Sequence, residues 1–256
     1  MKVRVLGCHG GEYLHFQPIS LLVDGRLLID AGGAVSSLTA DELLGIEAIA
    51  VSHPHLDHIK DIAFLADIVA DRATRPTLVA SVPEVLGPIR THFLNDVIWP
   101  DFTRIPDPAR PILAYRTMAR GAPEPLAGLR VEAIAVDHQV EGVGFVVDDG
   151  ARAFLFTGDT GPTADIWTAA NRRRSLRAVF IEASFPERLR AVADKSGHLT
   201  PRLVAGELAK LAAPHRDLPV YLYHMKPWHL DEVAREVEAL ADGRIRMLQP
   251  GQEIDI

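Results

Sequence analysis

A four-layer αββα sandwich of the α/β (α+β) class, two sheets packed face to face with helices outside, is the fold this 256-residue sequence predicts. Short apolar strands open each half of the chain, and helical spacing interleaves with further strands after each opening set. Between the halves, prolines crowd residues 100 to 125 and read as a long irregular connection. In the first half, "KVRVLG", "SLLVDGRLLIDAG" and "IEAIAVSH" read as strands, with Asp24-Gly25 supplying a hairpin turn between two apolar runs. "DIAFLADIVADRA" follows with helical spacing, then "TLVAS" as a strand and "PEVLGPIRTHFL" as a helix. In the second half, "LRVEAIAV", "GVGFVVDDG", "ARAFLFTGD" and "LRAVFIEAS" are four strands. "PRLVAGELAKLAA" (helix), "PVYLYHM" (strand), "LDEVAREVEALADG" (helix) and "RIRMLQ" (strand) complete the order.

With 48% hydrophobic and 24% charged residues, the chain can bury a substantial core, and residues 1–256 are read as a single domain. No stretch approaches about 18 consecutive apolar residues, and "MKVRVLGCHGGEYLHF" lacks the apolar run of a signal peptide. The expectation is a cytoplasmic protein with no membrane partner. The one cysteine, Cys8, has no internal disulfide partner, which agrees with a reducing compartment. A formal charge of −7 argues against a nucleic-acid partner held by phosphate contacts; the basic run "NRRRSLR" at 171–177 reads as a solvated helix end.

The polar residues at strand ends carry the chemistry. "SHPHLDHIKD" follows a buried-looking strand, so His53, His55, Asp57 and His58 cluster on one strand-to-helix loop. His138 ends "VEAIAVDH", Asp159 ends "ARAFLFTGD" and His224 ends "PVYLYH", each at the carboxyl edge of a sheet, where such folds assemble sites. Imidazole and carboxylate suit zinc, manganese or iron, and the lack of a second cysteine removes a zinc-thiolate site. Five histidines and two aspartates are too many for one tetrahedral ion and suit two ions sharing a carboxylate.

"HPHLDH", with "LLIDAGG" upstream and "FTGDTG" downstream, resembles the metallo-β-lactamase superfamily and its HxHxDH motif, over nearly the whole chain. That resemblance implies the metallo-β-lactamase fold and two divalent ions, zinc before manganese or iron. His53, His55 and His138 would hold the first ion, Asp57, His58 and His224 the second, and Asp159 would bridge them. The chain departs from the pattern at Asp61, where the family usually has a glycine that serves the tight entry into the helix.

Two divalent ions offset by two aspartates and a hydroxide leave about +1 at the centre, which favours a monoanion such as a phosphodiester. His198, in "DKSGHLTP", then gains a role: an alkoxide leaving from phosphorus needs a proton, and a histidine facing the metals can supply it or bind phosphate. Thr200 reads as the N-cap and Pro201 as the first residue of a helix whose amino end favours an anion, so Thr200 is a candidate phosphate contact. Glu182 can hydrogen-bond the His198 ring and keep it protonated. "IEASFP", "SGHLTP" and "PEVLGPIRTHFLNDVIWPDFT" resemble the motifs of the class II 3',5'-cyclic nucleotide phosphodiesterases. By that resemblance the substrate is cyclic AMP or cyclic GMP, opened to a nucleoside 5'-monophosphate, with His198 as general acid and Asp57 accepting the water's proton. Asn95 and Trp99 are the candidate base contacts, whereas Phe102 is the better core residue. After His224, Lys226 can meet phosphate as readily as solvent. Related families often form dimers. Two other readings remain: a tRNase Z-like RNA endonuclease, which shares the glutamate and Gly-His features, and a nucleotide-sensing metal-binding module without turnover.

Overall fold

The computed structural model describes residues 1–256. The chain opens with β1 (Lys2–Gly7), β2 (Ser20–Val23) and β3 (Leu27–Ile29). The β2–β3 turn runs through Asp24, Gly25 and Arg26, the first two at positive φ (48° and 69°), and the Arg26 N–H closes it on the Val23 carbonyl at 3.0 Å. Helix α1 (Ala40–Gly45) starts with a capping box: the Thr39 side chain accepts from the Glu42 N–H while the Glu42 carboxylate accepts from the Thr39 N–H. Then come β4 (Ala48–Ala50), α2 (Leu56–Val69), β5 (Thr77–Ser81) and α3 (Pro83–Pro88). Helix α3 widens into a π turn over Ile89–Phe93, beyond Pro88, which has no N–H to give. Strand β6 (Leu113–Thr117) closes this half.

The second half runs β7 (Pro123–Leu126), β8 (Leu129–Ala135), β9 (Val143–Asp148), β10 (Ala153–Phe156), α4 (Asp165–Asn171) and β11 (Leu176–Glu182). It continues with α5 (Arg190–Ser196), α6 (Pro201–Leu208), β12 (Val220–Tyr223), α7 (Leu230–Ala239), β13 (Ile245–Met247) and β14 (Glu253–Asp255). The strands form two seven-stranded sheets, β14-β1-β2-β3-β4-β5-β6 and β13-β12-β11-β10-β9-β8-β7. In each sheet an antiparallel meander joins a run of parallel strands, β3 to β6 in one and β10 to β13 in the other.

Alternation along the strands builds the layers. Phe154 and Phe156 of β10, Phe180 of β11, and Tyr221 and Tyr223 of β12 face the central cluster shared with the first sheet. Leu155, Val179, Ile181, Val220 and Leu222 face outward, against Ile166 and Trp167 of α4, Val204 of α6 and Val233 of α7. Between the sheets Phe156 stacks on Tyr223 at 4.8 Å and Phe180 on Tyr221 at 5.0 Å. The result is the expected αββα sandwich. No helix is long and apolar enough to cross a membrane.

The structure corrects the reading of the proline-rich middle. Residues 95–112 are largely irregular, but β6 and β7 lie within the span read as a connection. Pro123 and Pro125 are tolerated in β7 because it is an edge strand, bonded on one side only, to β8. The short helices α1, α4 and α5 went unread, as did β14, which returns to the first sheet to pair with β1.

Candidate metal centre

The site forms along the carboxyl ends of the strands, at the seam between the sheets. From β4 the chain passes through His53 to His55, the N-cap residue of α2, and on to Asp57 and His58 in its first turn. The four residues therefore span a loop and a helix start, whereas the sequence placed all of them on the loop. His138 lies three residues past β8, Asp159 three past β10, and His224 directly after β12, at a left-handed φ of 66°.

These seven residues come together with Glu182 and His198. Ligand atoms of His53, His55 and His138 lie within 4.8 Å of one another; so do those of Asp57, His58 and His224, and those of His53, His58 and Asp159. His58 Nε2 is 3.3 Å from His224 Nε2, and His53 Nε2 is 2.9 Å from His55 Nδ1. Asp159 Oδ2 reaches His224 Nε2 at 3.1 Å, His58 Nε2 at 3.4 Å and His53 Nε2 at 3.8 Å. Asp57 Oδ2 lies 3.5 Å from His224 Nε2.

The opposite ring nitrogens show where the protons sit. His58 Nδ1–H donates to Asp30 Oδ2 (2.7 Å), His138 Nδ1–H to the Gly197 carbonyl (2.9 Å) and His224 Nδ1–H to Ser184 Oγ (2.8 Å). His53 Nδ1–H donates to Ser52 Oγ (3.0 Å), whose own hydrogen goes to Asp30 Oδ2 (2.7 Å). In each ring Nε2 is left facing inward, its lone pair free whenever the ring is neutral, the arrangement that outer hydrogen bonds impose on metal-ligating histidines. Gly197, at φ +66°, ends α5 and turns its carbonyl onto His138; a Cβ there would press on the His138 ring.

Lone pairs facing one another around a carboxylate call for a cation between them. Asp159 Oδ1 is buried with no hydrogen-bond partner at all. Burial holds His53 well below the usual imidazole range, and neighbouring imidazoles push the same way. At His58 burial is outweighed by Asp159 and Asp30, which raise it well above that range. Burial opposes ionisation of Asp159, but the charges of His224 and His58 outweigh it and hold its carboxyl well below the usual range. Positive charge is thus drawn to this cluster, and a donor set of imidazole and carboxylate without thiolate fits hard or borderline divalent ions.

His198 stands beside the cluster, its ring centroid 5.0 Å from that of His138 and 5.3 Å from that of His224. Its Nδ1–H donates to Glu182 Oε1 at 2.7 Å, and Glu182 is fully buried. Burial alone would lower the imidazole, but the charge of Glu182 and its hydrogen bond raise it above its ordinary value. Ser184, which the sequence reading missed, joins this pair to the cluster: its hydroxyl donates to Glu182 Oε2 (2.8 Å) while accepting from His224. Asp30 and Ser52 were also missed. The "LLIDAGG" stretch carried Asp30 in plain view, but only the fold brings it under His58. Asp30→Asn is expected to weaken metal affinity about 10–100-fold with little change in fold, read by competition with a chromophoric chelator.

Three expected substrate contacts are not presented to the cluster. Thr200 is fully buried: its hydroxyl accepts the Leu203 N–H as the N-cap of α6 and donates to Glu187 at 2.6 Å. It is a structural cap and not a phosphate contact, because both hydroxyl functions are already used. Thr200→Ala should cost about 1 kcal/mol in urea unfolding while KM stays at the wild-type value. Asn95 spends its side chain on its own loop, Oδ1 accepting from Val97 and Ile98 and Nδ2 donating to the Thr91 carbonyl. Trp99 packs its ring edge-to-face on Phe64 at 5.2 Å, and Phe102 is core. Asp61 lies within α2, not at its entry: its Oδ2 accepts the Val35 N–H at 2.8 Å and its Oδ1 pairs with Lys60, so it ties the loop after β3 to the helix.

What does open beside the cluster is an apolar groove of about 700 Å³ at His55, walled by Leu56, Ile59, Phe93, Ile98 and Val140. At its rim Glu84 and Glu141 share Arg120, at 3.2 and 2.8 Å.

Comparison with known proteins is consistent with this architecture. A family model described as a beta-lactamase superfamily domain matches residues 25–225. The 3',5'-cyclic-nucleotide phosphodiesterase 1 of Saccharomyces cerevisiae is 26% identical over 106 residues, which is 34% of this chain and only 29% of that protein. Among solved structures, unliganded yeast PDE1 superimposes with a TM-score of 0.84 at 16% identity, covering 98% of each chain. The short form of human tRNase Z does so at 0.69 and 16% identity, covering 100% of this chain and 99% of the other. At such identities the structural likeness speaks for the fold alone.

Proposed function

Because the chain belongs to the beta-lactamase superfamily, and because a buried Glu182–His198 pair stands beside its histidine–aspartate cluster, we propose that it is a metal-dependent 3',5'-cyclic nucleotide phosphodiesterase. His198 carries this reading. A strained lactam needs little help from an acid, but a ribose 3'-oxygen leaving phosphorus needs a proton. His198 has one free ring nitrogen, Nε2, and Glu182 supports its protonated form.

His53, His55 and His138 would hold one divalent ion and Asp57, His58 and His224 the other, with Asp159 between them; when bound, the ions supply Lewis-acid neutralisation at phosphorus and lower the pKa of water. The chain does the rest. Asp57, half-buried at the start of α2, accepts a proton from the attacking water. His198 Nε2–H gives its proton to the departing 3'-oxygen, and Glu182 steadies the ring through Nδ1 as it does so. The groove at His55 offers apolar walls to the nucleoside. They come mostly from residues 54–59 and 84–98, the latter within the stretch that resembles the cyclic nucleotide phosphodiesterases. Surplus acid at its rim disfavours a polyanion such as RNA.

The test is a hydrolysis panel with protein loaded in turn with zinc and manganese. It comprises 3',5'-cyclic AMP, cyclic GMP, a 2',3'-cyclic nucleotide, an aryl phosphodiester, a β-lactam and precursor tRNA. Turnover of a 3',5'-cyclic nucleotide to its 5'-monophosphate is expected. Turnover of the lactam alone, cleavage of precursor tRNA without the cyclic nucleotides, or saturable cyclic nucleotide binding without hydrolysis would overturn the proposal.

A further inference from the structure

The candidate centre has an apolar feature at each end, and a cyclic nucleotide, with one base, occupies only one of them. At the His55 and His138 end lies the groove. At the His224 end the Tyr13 and Trp228 rings lie 5.3 Å apart, tilted by 33°, with Trp228 80% exposed and Tyr13 43% exposed. The loop carrying Tyr13 is stitched to this end of the site. Gly10 N–H donates to the Met225 carbonyl at 3.1 Å and Lys226 Nζ to the Gly10 carbonyl at 2.6 Å. A Cβ on Gly10 would collide with His224, so only glycine lets the loop lie against that residue. On the other side of the loop, Glu12 pairs at 3.3 Å with Lys60, three residues beyond Asp57.

We propose that the Tyr13–Trp228 pair is a second nucleobase subsite, and that the protein cleaves linear dinucleoside monophosphates as well as 3',5'-cyclic nucleotides; this rests on the phosphodiesterase reading above. A linear diester carries a nucleoside on each side of its phosphate. With phosphate at the cluster, one base enters the groove and the other stacks on the exposed aromatic faces, which accept any base through its π-face. The charge at the two ends differs. Glu84 and Glu141 share one arginine, and Glu12 and Asp61 share one lysine, Lys60. The groove end therefore keeps a surplus negative charge where a longer strand would place its next phosphate, whereas at the Tyr13 end Lys60 and Lys226 balance Glu12 and Asp61.

The reaction is hydrolysis with no change of oxidation state. The oxygen of water bonds to phosphorus and one of its protons passes to Asp57. The P–O3' bond breaks, and O3' takes the proton of His198 Nε2. The products are a nucleoside with a free 3'-hydroxyl and a nucleoside 5'-monophosphate.

The experiment uses the metal-loaded protein with d(ApA), whose sugars lack the 2'-hydroxyl that allows self-cleavage. Deoxyadenosine and dAMP are the expected products. In Trp228→Ala, a change at an exposed position, kcat/KM for d(ApA) should fall about tenfold further than kcat/KM for cyclic AMP. Quenching of tryptophan emission by d(ApA) should diminish in the same variant. Turnover of cyclic AMP with d(ApA) left intact, or an equal loss on both substrates in Trp228→Ala, overturns the second subsite and leaves the phosphodiesterase reading standing. Failure to cleave either diester overturns both proposals.

Discussion

Replacing Asp159 with alanine is expected to reduce hydrolysis to background and to leave the purified protein with at most one ion per chain by elemental analysis. The reason is its position. Asp159 Oδ2 lies within 3.8 Å of the inward nitrogens of His53, His58 and His224, and no other buried carboxylate reaches all three. Without it, two cations would have to share a pocket whose remaining first-line anion is Asp57, at the outer edge of the cluster. Asp159→Asn keeps the size and one potential oxygen ligand but loses the charge, so it should resemble the alanine variant in metal content. Near-wild-type metal content in both variants would remove Asp159 from its bridging place.

His198→Ala should show the opposite separation: metal content intact and turnover cut about 100-fold or more. The residue is only 7% exposed and its shortest hydrogen bond is to Glu182, so although its ring packs on His138 and His224 its loss removes no hydrogen bond from either. The pH profile gives a second handle. Burial alone would lower the His198 pKa, and Glu182 raises it above the ordinary value. In Glu182→Gln the raising influence is gone, so the protonated acid is lost at lower pH and the alkaline limb of the kcat profile should move down. Unchanged turnover in His198→Ala would end its role as the acid.

The histidine–aspartate cluster was legible because each of its members sits at a recognisable strand end. "HPHLDH" puts four donors within six residues, and His138, Asp159 and His224 each close an apolar run that can only be a buried strand. Strands β10 to β12 of the second sheet were legible from their own pattern, since Phe154, Phe156, Phe180 and Tyr221 alternate with smaller outward residues. What escaped depends on contacts distant in sequence. Asp30 and Ser184 look like ordinary polar residues until β3 and β11 bring them under His58 and His224. Thr200 shows the reverse error. Its cap function was visible, but a hydroxyl that caps a helix and also meets Glu187 across 13 residues has nothing left for a ligand. Strand β7 was hidden by its own prolines, because the rule against proline in strands relaxes only at a sheet edge, and edge position is a property of the whole fold.

The return of β14 to β1 has a consequence for how the molecule is made. Lys2 lies opposite Asp255, Val3 opposite Ile254 and Arg4 opposite Glu253, so β1 gains its second neighbour only after β2 to β13 have been made. During translation the β1 edge stays bare, with its ladder groups open to a neighbouring chain, until residues 253–255 have left the ribosome. Such distant pairing also slows folding, because the chain between β1 and β14 must close as a loop before the ladder forms. Aggregation in cells should therefore depend on the rate at which residues 253–255 dock, separately from the stability of the finished sandwich.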